Sequence, residues 1–182
     1  MENLKKIIIN KIIKVEGGFI DNPLDSGGVT KYGITESTAK MAGYKGEMAD
    51  LSKDDAFNIY VNLYWNPLKL DAIGVYSWKI AEEIADTGVN TGLRFAGRTL
   101  QRCLNAFNNK GVLYPDLVSD GFIGDKTVGA LRVYLNHREK DGEEVLMKAY
   151  NCLQGSFYIE LSERREKDET FVYGWIRNRV DL

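Results

Sequence analysis

Apolar residues recur at three- and four-residue intervals along almost the whole chain, a rhythm that packed helices satisfy and strands do not. Leu4, Ile7, Ile8, Ile12 and Val15 predict a first amphipathic helix, with lysines on its opposite side and Gly17-Gly18 as its stop. Ser52-Lys53-Asp54-Asp55 reads as a capping box opening a helix through Tyr64, ended by Pro67. Ile80, Ala81, Ile84 and Ala85 predict another, stopped near Gly88, and Leu93, Ala96, Leu100, Cys103, Leu104 and Phe107 the next. A polar loop from Asn108 to Gly121 follows, then Val128, Leu131 and Leu135. Leu146, Ala149, Tyr150, Leu153, Phe157 and Leu161 form the longest stripe, before a charged turn from Glu163 to Glu169. Only Phe19 to Thr35, with Pro23, Gly27, Gly28 and Gly33, breaks the pattern near the N-terminus; loop or hairpin chemistry is expected there. The fold class is mainly α, with a small loop or β-hairpin region after the first helix.

At 182 residues the chain can bury a full core without metals or disulfides. Its 24 basic against 26 acidic residues leave a net charge of −2, which argues against nucleic acid as a partner, since affinity for phosphate is largely charge neutralisation. The lone histidine, His137, sits in the charged run Asn136-His137-Arg138-Glu139-Lys140 and reads as a solvated helix-end residue. That excludes histidine-rich zinc sites and leaves a Ser-His-Asp triad with one poor candidate. Cys103 and Cys152 lie far apart without a CxxC and read as reduced packing residues, with a single bridge left open. No phosphate-cradling glycine motif or calcium loop is present, so neither a cofactor nor a metal is expected. The apolar run Ile7-Ile8-Ile9 is too short for a signal peptide or a membrane span. The expectation is a monomer made in the cytoplasm without its own export signal and without an integral membrane segment.

Chemistry should therefore come from carboxylates and neutral polar groups, and one stretch offers them. Glu16 falls at the predicted C-terminal end of the first helix, where unpaired carbonyls disfavour an ionised carboxylate. Partial burial against Val15 pushes the same way, toward the protonated carboxyl that a general acid needs near neutral pH. The glycines after it let backbone approach a ligand closely. Asp25 follows with eight residues between, flanked by Ser26 and Gly27-Gly28, so it should be solvated and ionised. Two carboxyls in different environments facing one cleft are the arrangement used to cleave glycosidic bonds. Thr30 is placed to hold a water or a sugar hydroxyl. The residues alone leave the blander alternative open, in which Glu16 is a surface helix-end residue and Asp25 a turn former.

These blocks resemble a known family. Glu16-Gly17-Gly18-Phe19, then Pro23-Leu24-Asp25-Ser26-Gly27-Gly28-Val29-Thr30, then Tyr32-Gly33-Ile34-Thr35, resemble the N-terminal signature of glycoside hydrolase family 108. These are N-acetylmuramidases of phages and bacteria, some of them labelled secretion activator proteins. Asp86-Thr87-Gly88-Val89-Asn90-Thr91-Gly92 with Leu100-Gln101 resembles the family's middle motif. Ser119-Asp120-Gly121-Phe122-Ile123-Gly124-Asp125-Lys126-Thr127 resembles an element of its C-terminal peptidoglycan-binding region, and Phe171 to Arg179 its last segment.

The resemblance implies a lysozyme-like helical fold, with a catalytic muramidase region at 1–95 and a helical peptidoglycan-binding region at 96–182 packed on it as one compact unit. It implies peptidoglycan glycan strands as partner and action at the cell wall or periplasm. The reaction would be hydrolysis of the β-1,4 bond between N-acetylmuramic acid and N-acetylglucosamine, with Glu16 as general acid. Asp25 would act as nucleophile, base or electrostatic stabiliser, with Thr30 assisting. Tyr32 offers a ring face to a sugar or fills core. Asn90 and Gln101 offer amides to N-acetyl or hydroxyl groups; their alternatives are a helix N-cap and an exposed helix position. Asp86 would orient the loop holding Asn90. Tyr158, Phe171, Tyr173 and Trp175 read as core rather than sugar platform. A non-hydrolytic wall-binding or secretion-assisting protein and a lytic transglycosylase are the competing functions.

Overall fold

The computed structural model describes residues 2–16, 19–20 and 29–181; the side chains of residues 2, 15, 16, 19 and 20 lie outside the description. The fold is mainly α, as the apolar rhythm requires, with one small antiparallel sheet after the first helix. The chain divides into two compact units, Met1–Asp71 and Ala72–Leu182.

In the first unit, α1 (Glu2–Glu16) stops before Gly17, where the paired glycines predict. Its buried face is Ile8, Ile9, Ile12 and Ile13, while Leu4 and Ile7 are exposed. The phase thus differs from the expected one. The runs Ile7-Ile8-Ile9 and Ile12-Ile13 satisfy several helical phases, and packing against α3 (Lys53–Tyr60) selects among them. Each isoleucine so buried is worth about 2 kcal/mol of apolar transfer. One turn before Ile8 and Ile9 on the same face of α1, the Lys5 ammonium pairs with Asp71 at 2.8 Å and lies over the Trp65 ring, 5.4 Å from its centroid. Partial burial pushes the Asp71 carboxyl up, but the hydrogen bond and charge of Lys5, with the Trp65 side chain beside it, hold it below its ordinary value.

The sheet consists of two-residue strands β1 (Phe19–Ile20), β2 (Thr30–Lys31) and β3 (Ile34–Thr35) in that order. Tyr32 and Gly33 form the turn between β2 and β3, both with positive φ (55° and 73°). A two-residue hairpin with the right strand twist demands that of both positions, and glycine meets it without strain. Thr35 then caps α2 (Glu36–Met41), its hydroxyl accepting from Thr38 N–H at 3.2 Å. The predicted capping box is present: Ser52 Oγ accepts from Asp55 N–H at 3.1 Å, and the Asp55 carboxylate accepts from Ser52 N–H at 3.2 Å. The helix continues from Tyr60 through a π-helical turn, Val61–Trp65, before Pro67. A short α4 (Leu70–Gly74) follows.

The second unit is built on α5 (Trp78–Thr91), α6 (Leu93–Phe107), α7 (Asp125–Arg164) and α8 (Glu169–Arg179). Helix α5 does not stop near Gly88, which is buried inside it. It ends at Gly92, whose φ of 91° closes the helix. The Ala96, Leu100, Cys103 and Leu104 face of α6 is buried as its spacing predicts. Helix α7 is broken at Glu139 (φ 50°, ψ −127°), inside the charged run that holds the exposed His137. Across the break the Tyr134 hydroxyl donates to the Gly142 carbonyl at 3.0 Å.

Both cysteines are free, Cys103 buried and Cys152 exposed, so only Cys103 has the packing role expected of both. Helix α8 corrects a further expectation. Tyr158 on α7 is buried, but α8 has no buried residue, and Phe171 and Tyr173 are exposed. Phe171 stacks on the half-buried Trp175 one turn away, with centroids 6.1 Å apart.

Candidate active site

Glu16 is the last residue of α1, the helix-end position that disfavours ionisation. Its side chain and the whole of Asp25 lie outside the described residues. The neighbouring backbone is informative nonetheless. Strand β1 pairs with β2 in the register Phe19↔Lys31 and Ile20↔Thr30. Three residues of chain reach at most about 11 Å, so this register holds Thr30 and Lys31 close to the end of α1. The segment carrying Asp25 connects the same two strands.

Thr30 is half-buried in the middle strand, paired with Ile20 on one side and Thr35 on the other. Tyr32 occupies the tip of the β2–β3 hairpin, half-buried, with the Lys31 ammonium 5.5 Å from its ring centroid. Its carbonyl accepts from the Tyr60 hydroxyl at 3.0 Å, which fastens the hairpin to α3. Lys31 also donates to the Ala49 carbonyl. The hairpin is thus held at strand, turn and lysine, and part of the Tyr32 ring stays accessible.

The remaining site candidates belong to the second unit. Asn90 lies exposed in the last turn of α5, its amide donating to the Asp86 carbonyl at 2.7 Å, so it is not a helix N-cap. Asp86 holds Asn90 through that backbone oxygen, while its carboxylate faces Arg179 at 3.5 Å. Gln101 is only 2% exposed, contrary to an open helix position. Its nitrogen donates to Asp120 Oδ1 at 3.1 Å and to the Phe122 carbonyl at 3.0 Å, and its oxygen accepts from Gly121 N–H at 2.8 Å. With its amide spent on the loop before α7, Gln101 holds protein rather than sugar. Hydrogen bonds from Phe122 N–H and Gln101 also keep the Asp120 carboxyl below its ordinary value.

Sequence reasoning missed Glu83. It shares the α5 face of Ile80 and Thr87, and a glutamate on an apolar face was the available signal. Burial, then the charge of Asp86, push its carboxyl up to about 7, against a hydrogen bond from Asn151. Around it Asn151, Gln154 and Thr87 are fully buried. The Gln154 amide, oriented to suit its neighbours, donates to Glu83 Oε1 at 3.2 Å and to the Arg179 carbonyl at 3.0 Å while accepting from the Thr87 hydroxyl. Asn151 Oδ1 accepts from Asp181 N–H at 2.9 Å. This buried network ties the end of α8 to α5 and α7.

Two family models divide the chain between them. The one described as "Glycosyl hydrolase 108" matches residues 9–92, which include Glu16, Asp25 and Thr30. Residues 9–92 are thus a glycoside hydrolase family 108 region. A second model, described as "Predicted Peptidoglycan domain", matches residues 95–180. Helix α5 thus falls within the hydrolase match but within the second compact unit. No curated protein matches the sequence. Among solved structures the chain is similar in fold to SagA of Brucella abortus, with a TM-score of 0.62 and 21% identity over 98% of each chain. Among the described residues no cluster of His, Cys, Asp and Glu is arranged to hold a metal ion, and no helix is long and apolar enough to cross a membrane.

Proposed function

We propose that this glycosyl hydrolase 108 protein is a muramidase, hydrolysing the β-1,4 bond after N-acetylmuramic acid in peptidoglycan. Glu16 protonates the departing glycosidic oxygen. Asp25 stabilises the oxocarbenium-like centre or activates water, and Thr30 positions that water or a sugar hydroxyl. The single observation that carries the reading is the location of Glu16: it ends the first helix, inside the hydrolase match, beside the strand pair that anchors Thr30. A half-exposed Tyr32 ring suits the apolar face of a pyranose. Asn90 offers its exposed amide oxygen to a sugar hydroxyl.

The division of labour follows the family matches, with residues 1–95 catalytic and 96–182 binding the wall, so the site of action is the bacterial cell wall. Incubation with purified peptidoglycan, followed by product mass, tests the reaction. Hydrolysis adds one water and leaves a reducing end, whereas a lytic transglycosylase leaves an anhydro-sugar without added water. Intact walls after incubation would favour the non-hydrolytic alternative.

A further inference from the structure

Arg94, Arg98 and Arg102 recur at four-residue intervals on α6, which puts all three on one exposed side of the helix. Arg98 and Arg102 have no ion-pair partner among the described residues, on a chain whose net charge is −2. Beside them runs the loop that precedes α7, fastened along α6 at three levels. Asn105 brackets Leu117, donating to its carbonyl at 2.8 Å and accepting from its N–H at 2.7 Å. Gln101 holds Asp120 to Phe122, as above. Arg94 donates to the Asp120 carbonyl and lays its guanidinium 3.7 Å from the Phe122 ring centroid.

This loop is fixed in place, yet it turns two apolar side chains to solvent: Phe122 is 63% and Val118 78% exposed. Rigid, exposed apolar groups beside uncompensated arginines lower the cost of ordering on binding and suit a ligand that is both apolar and anionic. The nearby carboxylates form no ion pair with Arg98 or Arg102. Asp120 is engaged by Gln101 and by Phe122 N–H, and Asp116 by Asn108 at 2.5 Å.

We infer that the face formed by Arg94, Arg98, Arg102, Val118 and Phe122 binds the stem peptides of peptidoglycan, the arginines meeting their free carboxylates and the two apolar side chains their alkyl groups. The inference rests on the proposed function, because the wall is the anionic polymer that reading supplies. It adds that recognition in the second unit depends on peptide charge rather than on sugar.

The test is co-sedimentation of the full-length protein with three preparations: intact sacculi, sacculi whose carboxyls have been capped as neutral amides, and glycan stripped of its peptides by an amidase. Anionic phospholipid vesicles form a fourth arm. The wild type is expected to pellet with intact sacculi and to lose at least about fivefold in affinity on the capped and stripped materials. Arg98→Gln/Arg102→Gln should show that loss on intact sacculi, the scale expected from removing two exposed charge contacts. Phe122→Ala should weaken binding at every salt concentration, whereas the arginine contribution should fade as salt rises. Thermal melting shows whether each variant is folded; because both arginines are exposed, the double variant should melt like the wild type.

Unchanged binding of the double variant to intact sacculi would overturn the inference. So would equal wild-type binding to capped sacculi, or tighter binding to vesicles than to sacculi. Wall clearing scored in the same samples separates the two levels. Clearing without the arginine effect rejects this inference alone, whereas a wild type that neither clears nor pellets with walls rejects the proposed function with it.

Discussion

Gly97 on α6 and Gly121 in the loop before α7 touch backbone to backbone: a Cβ built on Gly97 would lie 2.2 Å from the Gly121 carbonyl oxygen. No side chain could move aside there, because the obstacle is main chain. Gly121 is constrained in turn, with φ of 82° and the Arg94 carbonyl oxygen 2.4 Å from its own would-be Cβ. Gly97→Ala should therefore destabilise the protein by roughly 2 kcal/mol or more, although helix propensity alone favours alanine by about 1 kcal/mol. Denaturant unfolding measures the net effect. A stabilised variant would mean that the loop does not rest on α6 this closely.

Glu83 predicts a pH dependence of stability. Its carboxyl is pushed up to about 7 in the folded protein from an ordinary 4.5, chiefly by burial and by Asp86, with Glu82 and Asp181 adding to it. The folded state therefore holds a proton over a range in which the unfolded chain has released it. That contribution is fully present below 4.5 and is lost as pH rises through 7, a change of about 3 kcal/mol. Glu83→Gln keeps the hydrogen bonds without the charge. Its thermal midpoint should exceed the wild type's at pH of about 8 and approach it at pH of about 4.5. Equal midpoints at both would mean that Glu83 is solvated.

Much of the fold was legible because it is local. The capping box of Ser52 and Asp55 needs only four consecutive residues, and the end of α1 needs only Gly17-Gly18. What sequence misread depends on partners far along the chain. Gln101 looks like an exposed helix position until residues 120–122 fold over it. Gly88 looks like a stop until its burial shows that packing carries α5 on to Gly92. The isoleucine runs of α1 allow several faces, and only contact with α3 selects one. Aromatic residues on α8 suggested core, but Phe171 and Tyr173 face solvent because helix spacing alone does not say which side is covered. For the candidate site, motif and helix end point to Glu16, whereas Gln101 is buried and bonded to residues 120–122.

Asp25 should act through charge. Asp25→Asn keeps the side chain's shape but removes its charge, and with it an electrostatic interaction realised mainly in the transition state. The rate constant on purified peptidoglycan should fall by roughly 10²-fold or more with little change in substrate binding or thermal midpoint. A fully active variant would move the second carboxylate role elsewhere. A matched fall in stability and activity would make Asp25 a structural residue.

Carboxylate chemistry of this kind needs no metal ion. Activity should survive prolonged chelation with EDTA. Loss on chelation, with recovery on adding back one divalent ion, would require a metal-assisted mechanism instead.

The central claim is that Glu16 delivers the proton that cleaves the glycan, and Glu16→Gln tests it most directly. Glutamine matches glutamate in shape but cannot donate that proton, so the variant should fold, melt near the wild-type temperature and still pellet with sacculi. Its rate of clearing purified peptidoglycan should fall by roughly 10²-fold or more, the scale of losing a general acid. Clearing at the wild-type rate by a folded Glu16→Gln protein would contradict the assignment.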